Sequence, residues 1–109
     1  MNPALVAARV SGDTQVLVVR GVVDRHAAGE IDYLIRHGLA NPPLRVVIDI
    51  SRVDEVSGAL IGALLRASRR LAWRNRRRLT IVCPQPDIRG RLEIAGLDEL
   101  ADVVSALDR

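Results

Sequence analysis

The sequence predicts an α/β domain in which a mixed β-sheet of four to five strands packs against helices. Runs rich in β-branched residues alternate with longer segments whose apolar residues recur every three or four positions. Clusters of Gly, Pro and Asn separate these segments. The resulting order, β-β-α-β-α-β-α-β, is typical of layered α/β folds whose crossovers are mostly right-handed. A length of 109 residues suits one domain, which we place at residues 1–109.

The first half of the chain contains two predicted strands and a helix. Ala4–Val10 and Gln15–Arg20 are rich in Val and other apolar residues, and a turn cluster separates them. Asp24 stands where a helix N-cap is expected, and the apolar residues after it follow helical spacing over about His26–Ala40. Asn41-Pro42-Pro43 ends this helix, because proline lacks the amide donor and clashes with the preceding turn.

The second half alternates strands with helices. Arg45–Ile50 has apolar residues on both faces, which is typical of an inner strand. Gly58 to about Asn75 has the spacing of an amphipathic helix, and Leu79–Cys83 forms the next strand. Pro86 fits the first turn of a third helix, and Val103-Val104 forms a short final strand.

Composition excludes several classes of protein. Aromatic residues make up only 2% of the chain, so Val, Leu, Ile and Ala must build the core. The single cysteine, Cys83, excludes an intrachain disulfide and a Cys-based zinc site, while His26 and His37 lack partners at ligand spacing. Neither a signal peptide nor an apolar run of about 20 residues is present, so we expect a cytoplasmic protein.

Nothing in the sequence predicts catalysis. It contains no Gly-rich phosphate loop, no Ser/His/Asp arrangement and no paired carboxylates for acid/base chemistry. We therefore expect no enzyme activity, no cofactor and no small-molecule substrate. Asp49 follows a buried-looking run, where we expect it to bond to backbone or solvent at the end of the sheet.

Basic charge is concentrated in one helix. The net charge is +3, all 16 basic residues are arginine, and seven of them lie between Arg66 and Arg78. Such a cluster could bind nucleic acid or an anionic membrane, but Trp73 is its one aromatic residue. The spacing of the arginines favours the solvated face of an amphipathic helix, which could also steer an acidic partner. Nucleic-acid binding through this helix remains an alternative, and we expect membrane contact only through another protein.

Three short motifs, in order, carry a resemblance to a known family. They are Gly21-Val22-Val23-Asp24, Val47-Ile48-Asp49-Ile50-Ser51, and the segment from Pro86 to Leu97. Their order and spacing resemble the STAS domain, the fold of bacterial anti-sigma-factor antagonists, over about Gln15 to Leu100. The resemblance implies a module that binds an ATP-binding anti-sigma factor, which is also a kinase, and so releases a sigma factor for transcription. STAS domains also serve as subunits of transporters, including lipid-transfer ABC systems, and this alternative remains open.

The family's switch motif, Asp-Ser-Ser-Gly-Leu-Gly, is altered in this chain. Aligned without gaps from Asp49, its first four positions fall on Ser57-Gly58-Ala59-Leu60, so Ala59 occupies the position of the phosphorylated serine. A two-residue deletion would instead align Glu55-Val56-Ser57-Gly58 with the motif and make Ser57 the acceptor. The ungapped register is favoured because it preserves the apolar phase of the loop and helix.

The resemblance also implies a partner-binding surface at the start of this helix. Ser57 and Asp24 are both expected as helix N-caps, and Asp24 is also expected to contact the partner. The residues implied in partner binding are Asp24, Ser57, Gly58, Ala59, Leu60, Ile61 and Gly62.

Overall fold

Five strands in the described part of the chain form one mixed sheet, and their spatial order is the order of the chain, β1-β2-β3-β4-β5. The computed structural model describes residues 4–37 and 45–107. Strand β1 is antiparallel to β2, and the other neighbours are parallel. The elements are β1 Leu5–Ser11, β2 Thr14–Gly21, α1 Arg25–His37, β3 Arg45–Val53, α2 Gly58–Asn75, β4 Leu79–Val82, α3 Pro86–Ile94, α4 Leu97–Leu100 and β5 Ala101–Val104.

The predicted α/β class and mixed sheet are confirmed, with two differences in detail. Strand β3 runs three residues beyond the predicted end, to Val53, because it continues to pair with the end of β2. A short helix, α4, follows Gly96, whose positive φ of 82° suits glycine. The predicted helix end at residues 38–40 and the stop at residues 41–43 lie outside the described residues.

Most of the core lies between the sheet and the four helices. Alternation along β3 places Val46, Ile48 and Ile50 in the cluster that contains the buried residues of all four helices. The intervening Val47 belongs to a smaller cluster with Val16 and Val82 on the other face. The strand therefore has two apolar faces, as its sequence predicts.

The parallel part of the sheet positions the candidate site. Strands β2, β3 and β4 run in the same direction, so their carboxyl ends lie at one edge, and α1, α2 and α3 begin just beyond it. This edge of an open α/β sheet is where such folds commonly bind ligands. The three strand-to-helix loops supply its surface.

Candidate functional site

Asp24 caps helix α1 at this edge. Its Oδ1 accepts a hydrogen bond from the amide of Ala27 at 2.9 Å, and its carbonyl accepts one from Ala28 at 2.9 Å. These bonds satisfy two amides of the first turn, which confirms the predicted cap. The residue is exposed, so its carboxylate is accessible from solvent at this edge.

Ser57 joins two of the loops. Its backbone is extended, and its Oγ accepts a hydrogen bond from the amide of Leu60 at 3.1 Å, which is the geometry of a helix N-cap. The same hydroxyl donates to the carbonyl oxygen of Val23 at 2.6 Å. Ser57 therefore caps α2 and ties its start to the β2–α1 loop, 34 residues away in sequence.

The first turn of α2 presents small residues to solvent. Gly58 is exposed, and a Cβ built on it would meet no atom within 4 Å. Ala59 and Ile61 are half-buried and pack against the core with part of their surface free. A Cβ on the half-buried Gly62 would lie 3.0 Å from Nη1 of Arg66, so any larger residue there must displace that side chain.

Leu60 is the exception among the implied contact residues. Its side chain is fully buried and packs in the main core cluster. Leu60 is therefore not accessible at the start of α2, contrary to its place among the implied contact residues, and it supports the first turn from beneath.

Gln85 was missed by sequence reasoning, although it holds the third loop in place. Its Nε2 donates to the carbonyl of Ser51 at 2.8 Å, which connects the β4–α3 loop to the end of β3. Asp49 accepts a hydrogen bond from the amide of Ser51 at 2.9 Å and so bonds to backbone, as expected. The position of Gln85 between Pro84 and Pro86 was the only available signal, since both prolines limit the loop's conformations.

Cys83 lies beneath this loop at the end of β4. It is fully buried, and its thiol lies 3.6 Å from Oε1 of Gln85. Burial raises the pKa of the thiol, and the nearby hydrogen bond and Arg89 only partly oppose this rise. The thiol is therefore protonated at neutral pH and behaves as a core residue.

Both histidines of the chain contact side chains of their own helix, α1. His26 pairs with Glu30 at 3.2 Å on the exposed side of α1, and the ring of His37 packs against Tyr33. Within residues 4–37 and 45–107, no three His, Cys, Asp or Glu side chains come together as a metal site. No described helix combines the length and apolar character needed to cross a membrane.

Comparison with known proteins agrees with this arrangement. Residues 6–105 match a protein-family model described as "Mlab, STAS domain". The chain belongs to the STAS domain family. The match runs from the second residue of β1 to the end of β5 and includes all three loops of the candidate site. No protein of curated function is detectably similar in sequence.

Several solved structures share the fold at low sequence identity. An anti-sigma factor antagonist from Mycobacterium paratuberculosis is 22% identical, with a TM-score of 0.82 over 97% of this chain and 89% of that one. A substituted form of RsbS from Moorella thermoacetica is 21% identical, with a TM-score of 0.78 over 94% and 87%. The phosphorylated form of SpoIIAA, a Bacillus cell fate determinant, is 20% identical, with a TM-score of 0.66 over 93% and 92%.

Proposed function

We propose that this STAS domain is an anti-sigma-factor antagonist. It binds an anti-sigma factor of the ATP-binding kinase type through the start of α2 and so frees a sigma factor. The observation that carries the proposal is a surface of small residues at that helix start, on a fold shared with solved anti-sigma factor antagonists. It acts by binding alone and needs no cofactor.

The geometry at the helix start suits close approach by a partner. The amides of Gly58 and Ala59 are among those that a helix leaves unpaired, and the helix dipole places partial positive charge there. No side chain covers Gly58, and Ala59 adds only a methyl group. Partner backbone or an acidic side chain can therefore pack directly against the first turn, with the exposed Asp24 carboxylate beside it.

We further propose that phosphorylation does not control this contact. A phosphate at the helix start would add about −2 charge and bulk to the interface. Ala59, which aligns with the family's acceptor in the favoured register, has no hydroxyl. The Ser57 hydroxyl already donates one hydrogen bond and accepts another, and phosphorylation would remove the bond that it donates to Val23. These two features support a surface that remains unmodified.

Co-purification with a matched variant tests the proposed role. The tagged chain and its Ala59→Glu variant are expressed in the native cell, and the retained proteins are identified by mass spectrometry. We expect the unaltered chain to retain an ATPase-fold anti-sigma factor and Ala59→Glu to lose it, because the carboxylate introduces charge and bulk at the contact. Retention of that protein by both forms would place the contact elsewhere.

A second candidate is a regulatory subunit of a membrane transporter of the lipid-transfer ABC type. The specific observation in its favour is the description of the matching family model, which names Mlab and not an anti-sigma factor antagonist. The same co-purification separates the two roles, since a permease complex would be recovered in place of an anti-sigma factor.

A further inference from the structure

Helices α1 and α2 enclose a groove on the side of the molecule formed by their middle and carboxyl-terminal turns. Its volume is about 400 Å³, within the range of about 300–1,000 Å³ typical of small-molecule sites. Its floor is apolar, because Ile35 and Ala67 are buried beneath it. The lining residues are Asp32, Ile35, Arg36, Arg66, Ala67, Arg69 and Arg70.

The lining carries four guanidinium groups and one carboxylate. That carboxylate, on Asp32, is already engaged, since both of its oxygens accept from Nε of Arg66 at 3.1 Å. No anionic partner of Arg36, Arg69 or Arg70 is found in the described part of the chain. The groove therefore has a net lining charge of +3 that the fold itself leaves uncompensated.

Positive charge is also concentrated in the segment of the chain that contains α2. Residues 56–86 contain seven arginines and no acidic residue, whereas the rest of the chain has nine arginines and 13 acidic residues, a net charge of −4. The sequence predicts these arginines as a solvated outer face. Most of them are exposed as the sequence predicts, but Arg66 pairs with Asp32 on α1 and Arg70 is half-buried in the recess. A concave basic site concentrates positive potential more than a convex helix face does.

We propose that this groove binds a ligand that carries two or more adjacent phosphate groups. Guanidinium is a planar fork that binds phosphate oxygens in pairs, and three unpaired guanidiniums within one recess match a compact anion of several charges. The floor of Ile35 and Ala67 accommodates an apolar part of the same ligand. Trp73, one turn beyond Arg69 and Arg70, is 86% exposed and offers a ring for stacking or cation–π contact.

The dimensions favour a small ligand over a macromolecule. A partner helix is about 10–12 Å across with its side chains, too wide to enter a recess of about 400 Å³ between two helices. The site also differs from the partner surface at the start of α2, because it lies along the later turns. Ligand binding in the groove does not require the proposed partner contact at the start of α2.

Trp73 provides a direct test, since it is the only tryptophan of the chain. Sodium tripolyphosphate is titrated into the purified full chain while Trp73 fluorescence is followed, and stoichiometry is measured by calorimetry. Arg69→Gln/Arg70→Gln is compared with Arg9→Gln/Arg91→Gln, which removes the same charge from two exposed arginines that do not line the groove. Circular dichroism verifies that both double variants are folded.

We expect saturable 1:1 binding that the groove variant weakens by about tenfold or more, since it loses charge-assisted hydrogen bonds. The control variant should remain within about twofold, because distant exposed charges contribute little. Sodium sulfate at equal ionic strength should not compete, which separates adjacent phosphates from single anions.

Two further probes identify the source of the phosphates and the competing occupant. The chain is offered vesicles that contain phosphatidylinositol bisphosphate. Binding that is tighter than for tripolyphosphate and depends on Arg69 and Arg70 would support the phosphate chemistry and assign it to a lipid headgroup. Tighter binding of a polyglutamate peptide with the same dependence would overturn the proposal in favour of an acidic protein segment. Absent tripolyphosphate binding, or equal weakening by both double variants, would also overturn it.

Discussion

The hydroxyl of Ser57 lies 2.6 Å from the carbonyl oxygen of Val23, so the residue that caps α2 also holds the loop that precedes α1. One side chain thereby fixes two of the three loops at the carboxyl edge of the sheet. The third loop is held separately, by the amide of Gln85 on the carbonyl of Ser51. The candidate contact surface is thus built on a hydrogen-bonded frame that needs no partner to form.

The first prediction concerns the stability of this frame. Ser57→Ala removes both hydrogen bonds of the hydroxyl and should lower the free energy of unfolding by about 1–2 kcal/mol. Ser57→Asp retains an acceptor for the Leu60 amide but cannot donate to Val23, so it should lie between alanine and the unaltered chain. Urea unfolding measures all three, with Ser105→Ala as an exposed control. Equal stability of Ser57→Asp and the unaltered chain would mean that the bond to Val23 contributes nothing.

The second prediction concerns the partner contact. Ala59→Glu should weaken binding of the anti-sigma factor by about tenfold or more, because it introduces an uncompensated charge into the interface. It should leave the fold intact, since Ala59 has part of its surface free. Ala106→Glu is the matched control, because Ala106 is exposed and lies near the chain end. Calorimetric titration with the purified partner measures the affinities of both variants. Equal affinities would show that Ala59 does not take part in the contact.

The third prediction contrasts two arginines of the basic segment. Arg78 donates to Asp102 at 2.9 Å and to the backbone carbonyls of Glu99 and Ala101 at 3.1 and 3.0 Å, so it holds the end of α4. Arg78→Gln should therefore cost about 1–2 kcal/mol of the free energy of unfolding. Arg66→Gln loses only an exposed ion pair and should cost about 0.5 kcal/mol or less. Equal losses in thermal or urea unfolding would contradict this difference.

The fourth prediction concerns pH. Burial raises the pKa of the Cys83 thiol above its ordinary value of 9.0. The unfolded chain therefore loses the thiol proton at a lower pH than the folded chain does. The contribution of the thiol to stability is complete below about pH 8 and declines as pH rises through 9.0 and beyond. Between pH 7 and 10, the free energy of unfolding measured in urea should fall more steeply for the unaltered chain than for Cys83→Ala. Parallel declines would indicate that the thiol ionises equally in both states.

The sequence anticipated the fold well because the signals that determine it are local. Period-2 and period-3.6 spacing, the Asp24 cap and the Ser57 cap each depend on residues within a few positions of one another. Contacts between distant segments leave no such pattern. Two examples are the hydrogen bond from Gln85 to Ser51 and the pairing of Arg66 with Asp32, each of which joins residues 34 positions apart. The groove between α1 and α2 results from contacts of this kind.

The site itself was anticipated only in part. The helix start at Gly58 was placed correctly, since Ser57 and the small residues after it mark it in the sequence. Leu60 was included because the motif consists of consecutive residues. Successive residues of a helix point in directions about 100° apart, and this rotation directs Leu60 into the core. Burial can be assigned only once the orientation of the helix on the sheet is known.

The central claim is a partner contact without phosphorylation control, and intact-mass spectrometry tests it most directly. The unaltered chain and Ala59→Ser are each incubated with the co-purified anti-sigma factor and ATP. We predict that the mass of the unaltered chain does not change, while Ala59→Ser gains one phosphate because the acceptor hydroxyl is restored. A phosphate on the unaltered chain, located by peptide mapping at Ser57, would contradict the account.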